Sequence, residues 1–152
     1  YSCGNEWHHQ RELLCDDCWA KLQKAPTRLA EKYLNIDAPV TIIYRYSNLM
    51  RNIIHQMKFL GRYDIADKLG YLSGAQLSKM LSIKKFNAVV TVPLHPTRVR
   101  ERGYDQNLAL ARSITSFVGI EVNNNLIIRQ RNTRPQSRLS DIERSSNFEK
   151  AF

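Results

Sequence analysis

The sequence predicts an α/β protein, a parallel sheet with helices, preceded by a small zinc-ribbon-like module. Three observations carry this prediction. All three cysteines fall within the first 18 residues. Beyond them, β-branched apolar runs and segments of helical spacing follow in the order β-α-α-β-α-β-α. The apolar run ending at Pro93 leads into a stretch holding Arg98, Arg100, Arg102 and Gly103, and a new periodic segment follows. Strand, basic glycine-containing loop and helix, in that order, place anion-binding groups at the carboxyl edge of a parallel sheet.

Taken in order, residues 1–22 are rich in Cys, His and polar groups and carry no strand or long helix pattern. Residues 23–39 read as a linker, broken by Pro26 and Pro39, with a short helix over Arg28–Leu34. Residues 40–152 form the main domain. Thr41–Tyr46 is β-branched and aromatic, a strand. Leu49, Ile53, Met57 and Leu60 follow at helical spacing, closed by Gly61. Tyr63–Leu81 is a second helix with Ile65, Leu69, Leu72, Leu77 and Met80 inward.

Phe86–Val92 is a continuous apolar run, which suits a strand buried on both faces. The arginines after it are read on one side of an extended loop, with Gly103 opening the next helix. Leu108, Ala111, Ile114 and Val118 stripe that helix, which ends at Gly119. Leu126–Ile128 is a strand, Arg129–Arg138 a polar arginine-rich segment, and Asp141–Lys150 a helix.

At 152 residues, with 43% hydrophobic and 24% charged side chains, the chain has the length and composition of one globular domain plus an appendage. No apolar run approaches the ~20 residues that span a bilayer, and no apolar signal core opens the chain. Membrane insertion is therefore not expected, and the protein reads as cytoplasmic. It begins at Tyr1 rather than Met and ends at Phe152 just after a predicted helix, as a fragment would.

The net charge of +9 is unevenly spread. Residues 1–39 hold five Lys/Arg against six Asp/Glu, whereas residues 40–90 hold eight against two and residues 91–152 ten against six. A positive field concentrated in the larger part points to a polyanionic partner.

Cys15-Asp16-Asp17-Cys18 is a C-x-x-C pair, and Cys3 precedes it. Thiolates at this spacing point at one tetrahedral cation, so Cys3, Cys15 and Cys18 are candidate ligands of a structural zinc. The fourth ligand is His8 or His9, or a cysteine immediately before Tyr1 that would complete a second knuckle. The pairing of two knuckles in ribbons favours the cysteine. A disulfide would leave one cysteine over, and a thioredoxin-like redox pair would need a preceding strand.

Guanidinium groups match phosphate oxygens with a fork of donors and stay charged. Arg98, Arg100, Arg102 and Gly103 are accordingly candidate phosphate or pyrophosphate contacts, the alternative being arginines that only solvate an edge. Tyrosines 44, 46, 63 and 104 lie beside Arg45, Arg62 and Arg102. Basic surfaces interleaved with aromatic platforms hold single-stranded nucleic acid without sequence preference. Arg45, Lys58, Arg62, Arg129, Arg131 and Arg134 are the candidate contacts of that kind. The alternative is that most of these aromatics are core strand residues, the favoured reading for Tyr44.

Several landmarks in succession resemble the ComF family. They are Lys58-Phe59-Leu60-Gly61-Arg62, Val92-Pro93-Leu94-His95, Arg98, Arg102-Gly103-Tyr104-Asp105-Gln106-Asn107, and then Gln136, Leu139, Arg144, Asn147 and Phe152. The run from Pro93 to Gln106 is the most specific, and the resemblance covers nearly the whole chain. Asp105 departs from the asparagine usual there. The resemblance implies a zinc ribbon before a type I phosphoribosyltransferase-like parallel sheet, incomplete at its C-terminus. It also implies a role in natural transformation, with single-stranded DNA and a helicase-like competence protein as partners. An alternative implied by the same family is phosphoribosyl transfer from magnesium phosphoribosyl pyrophosphate, its pyrophosphate held between Pro93 and Arg102. Type I phosphoribosyltransferases bind the ribose phosphate with adjacent acids and a Thr-Thr-Gly-type turn; outside Cys15-Asp16-Asp17-Cys18 the sequence has no adjacent acid pair and no such turn, and no acceptor base or nucleophile is recognisable.

Overall fold

Helix, rather than sheet, organises the described residues. A computed structural model describes residues 15–25, 40–80, 86–134, 139–140, 143, 146–147, 149 and 151–152. These hold α1 (Asp16–Ala20), α2 (Asn48–Phe59), α3 (Tyr63–Met80), α4 (Pro96–Arg102) and α5 (Gln106–Val118). The expected type I phosphoribosyltransferase-like parallel sheet is not present among the described residues, which contain only two isolated bridges.

The reason lies in what pairs with the apolar runs. A strand becomes part of a sheet only where neighbours take up its backbone groups along an edge. The Val89 amide donates to the Glu121 carbonyl at 3.0 Å, and the Val89 carbonyl accepts from the Asn123 amide at 2.9 Å. That single parallel bridge, Val89 with Val122, does not propagate. Val92 is 60% exposed, so the run read as a strand buried on both faces reaches the surface, and Leu126 in the second predicted strand is 63% exposed. Thr41–Tyr46 likewise makes one bridge, antiparallel, between Tyr44 and Lys24.

The chain divides into two compact units, residues 1–56 and 57–152, with the boundary inside α2. In the first, Ser47 caps α2, its hydroxyl accepting from the Met50 amide at 3.2 Å. Met50 and Ile53 bury one stripe of that helix.

In the second unit, α3 and α5 form the dominant helix pair among the described residues. Ala66, Gly70 and Gly74 recur every fourth residue and so line one face of α3. A Cβ on Gly70 would fall 2.7 Å from the Leu110 carbonyl oxygen and 2.7 Å from Ser113 Cβ. One on Gly74 would fall 2.9 Å from the Ile114 carbonyl oxygen and 2.9 Å from the Phe117 ring. Advancing four residues along α3 advances the contact four along α5, so the two helices run parallel. The seam is closed by a hydrogen bond from the Ser113 hydroxyl to the Asp67 carboxylate and by the Tyr71 and Phe117 rings, edge to face at 4.6 Å.

Candidate functional site

The arginine segment that opens the site is a short helix, not an extended loop. Pro96 sits in its first turn with φ already set for helix. The preceding His95 caps it, Nδ1 accepting from the Thr97 amide at 3.2 Å. Gly103 ends it in the left-handed region at φ 78°, a conformation that favours glycine. Gly103 therefore closes one helix, and Asp105 opens the next. The Asp105 carboxylate accepts from the amides of Asn107 at 2.9 Å and Leu108 at 3.1 Å. A carboxylate at this position also meets the positive end of the helix dipole, so aspartate serves well as the α5 cap.

Helical geometry rearranges the arginines. Arg98 and Arg102, four apart, share a face, while Arg100 is turned to the other side, where Nη2 meets Thr97 Oγ1 at 3.5 Å. Arg98 Nη1 donates to Glu101 Oε2 at 2.6 Å, an exposed ion pair.

One hydroxyl ties this helix to the end of α2. Tyr104 donates to the Met57 carbonyl at 2.6 Å, with the Arg62 carbonyl a second acceptor at 3.2 Å. Burial, with the nearby Asp64 charge, pushes the phenol pKa up to about 12, so it remains a donor at neutral pH. The tether sets Lys58 and Phe59 against α4, and the Arg102 guanidinium lies 5.5 Å from the Phe59 ring centroid. The Tyr63 ring meets that of Tyr104 edge-on at 5.7 Å.

Four cations converge electrostatically. Burial, then the Arg102 charge, lowers the pKa of Lys58. Burial, then Arg98, lowers that of Arg102, against the opposing pull of Glu101, Asp105 and Tyr104. Burial, then Arg98, lowers that of Arg129. Arg98 thus acts on Arg102 and Arg129, and Arg102 on Lys58. Partial desolvation and mutual repulsion together give an arrangement that a bound anion relieves. The 57–152 unit supplies the wider field, with 16 Lys/Arg against 8 Asp/Glu.

The other predicted contacts are placed differently. Arg62 makes a two-pronged pair with Asp64, Nε to Oδ1 at 2.7 Å and Nη2 to Oδ2 at 2.5 Å. Arg131 Nη1 donates to the Glu149 carbonyl at 2.7 Å. The Arg134 backbone exchanges hydrogen bonds with the Asn147 side chain. Arg45 belongs to the other unit, where its amide donates to the Gln23 carbonyl at 2.8 Å. Tyr44 is half-buried in its bridge, and Tyr46 is exposed.

Of the candidate zinc ligands, Cys3 lies outside the described residues, as do His8 and His9. Cys15 is the N-cap of α1, and Cys18, 1% exposed, lies in its first turn. Among the described residues no three potential metal ligands cluster. Cys15 and Cys18 lie three apart at the start of α1, with Asp16 and Asp17 between them.

Sequence comparison adds relatives to this geometry. Over 116 residues the chain is 28% identical to competence protein F of Haemophilus influenzae, covering 74% of this chain and 51% of that protein. Over 110 residues it is 28% identical to DNA utilization protein YhgH of Salmonella typhimurium, covering 70% and 48%. The chain is a homologue of these proteins. The resemblance read from Lys58–Arg62 and Pro93–Gln106 is borne out. The chain spans about half the length of the curated relatives it matches. No protein-family profile and no solved structure matches it. Among the described residues no helix is long and apolar enough to cross a membrane.

Proposed function

We propose that this chain serves competence-related DNA use by holding single-stranded DNA on the cationic face of its 57–152 unit. The observation that carries the reading is a cationic face: Arg98 and Arg102 share one side of α4, the Arg102 guanidinium lies 5.5 Å from the ring of Phe59, which follows Lys58, and the unit holds 16 Lys/Arg against 8 Asp/Glu. The lowered pKa values of Lys58, Arg102 and Arg129 agree with it. Like charges brought together at partial desolvation cost free energy in the folded chain, and successive phosphates of a polynucleotide offset it. The names of the homologues point to the same use. Contacts of this kind position a strand without reading its sequence, as DNA taken up from outside requires.

The cysteines fit a separate task. In this reading Cys3, Cys15 and Cys18 hold a zinc ion that stiffens the N-terminal segment, and that segment docks a helicase-like competence partner. With a full set of protein ligands the metal has no open position for chemistry. The test of DNA holding is fluorescence anisotropy of a labelled oligothymidylate against the purified chain. Binding that weakens steeply with salt and is largely lost in Arg98→Ala/Arg102→Ala is expected. No binding at low salt, or equal binding by the double variant, overturns it.

A further inference from the structure

An exposed aromatic ring borders the arginine cluster and carries one of its guanidinium groups. Phe59 is 63% exposed, with the Arg102 guanidinium 5.5 Å from its centroid. Arg98 shares a helix face with Arg102. Arg129, by contrast, donates from Nη2 to Thr133 Oγ1. We infer that Phe59 is a base-stacking position, offering a surface to a base beside the phosphate donors Arg102 and Arg98.

The proposal rests on the DNA-holding reading and specifies how a strand is gripped. Phenylalanine has no hydrogen-bonding group, so 63% exposure at Phe59 leaves apolar surface in water that folding has not buried. A guanidinium within about 6 Å of a ring is attracted to its face, which fixes the planar fork of Arg102 while its N–H groups stay available to an anion. Ring and cation are thereby preorganised together. An acidic peptide would use the cations and leave the ring idle, whereas a single strand presents a flat base beside every phosphate. Arg98, though paired with Glu101 at 2.6 Å, is only weakly committed, because both partners are exposed.

The test compares oligothymidylate with an abasic oligonucleotide of equal length, using Phe59→Ala and Phe59→Trp. Stacking on one ring corresponds to about a five- to 150-fold change in affinity. Phe59→Ala is expected to weaken oligothymidylate by that factor, leave the abasic strand unchanged and keep the salt slope. Phe59→Trp is expected to bind oligothymidylate at least as tightly as the unaltered chain. Equal weakening for both strands, or no effect of Phe59→Ala while the unaltered chain binds, overturns the stacking proposal and leaves DNA holding intact. Failure of the unaltered chain to bind either strand overturns both.

Discussion

Replacing Gly70 by alanine sets helix propensity directly against packing, and the sign of the outcome tests the α3–α5 seam. On an exposed helix the change would stabilise by about 1 kcal/mol, because glycine has more backbone freedom to lose. Here the new methyl would stand 2.7 Å from the Leu110 carbonyl oxygen and 3.2 Å from Leu110 Cα, where ordinary contacts are 3.4–4 Å. The helices must separate by the better part of an ångström, since backbone atoms cannot rotate aside. Overpacking of this kind costs about 1–3 kcal/mol, and a contact with backbone belongs at the upper end. The net expectation is a loss of about 1–2 kcal/mol after the propensity gain is subtracted. Urea denaturation followed by circular dichroism reads it as a lower midpoint with an unchanged slope. Gly74→Ala should behave similarly, and the double variant should lose less than the sum, since one displacement of the helices accommodates both methyls. A rise in stability of about 1 kcal/mol in Gly70→Ala would show that propensity alone governs the site and would refute the close approach.

Tyr104→Phe removes the donor to the Met57 carbonyl and should cost about 1–3 kcal/mol, read from the same unfolding curves. With its folded pKa raised to about 12 from 10.0, Tyr104 contributes stability present below pH 10 and lost as pH rises toward 12. Ultraviolet titration should therefore show one phenol ionising about two units late, which Tyr104→Phe abolishes. Glu101→Gln frees Arg98 from its exposed ion pair and should tighten oligothymidylate binding a few-fold, within the ~1 kcal/mol that such pairs are worth. Zinc in the purified chain should approach one equivalent by elemental analysis and fall in Cys18→Ser, the buried member of the pair.

The helices were legible because their signals are local. The stripe from Leu49 to Met57 with Gly61 beyond it, and the stripe from Leu108 to Val118 with Gly119, gave α2 and α5 nearly to the residue. The sheet was overread, because a short apolar run such as Phe86–Val92 carries no statement of its hydrogen-bonding partners. The arginine segment was misread as extended. Pro96 followed by a glycine seven residues on was a helix start and stop, but the stretch has no apolar stripe to reveal it. Arg98 and Arg102 were found by residue type, whereas their separation from Arg100 follows only from helical geometry. Phe59 stands in the sequence only within the Lys58–Arg62 landmark, off the Leu49–Leu60 stripe, and nothing local marks its ring as a contact for a guanidinium. The glycine seam was visible as a four-residue repeat, but it was hidden behind the larger Leu69 and Leu72.

The central claim is that Lys58, Arg98, Arg102 and Arg129 act together on a polynucleotide, and salt dependence reads it most directly. For single strands the logarithm of affinity falls against the logarithm of salt with a slope of about −0.7 per phosphate neutralised. Four cooperating cations predict a slope near −3, and Arg98→Ala should reduce its magnitude by about 0.7. A slope near zero, or one that Arg98→Ala leaves unchanged, would contradict the account.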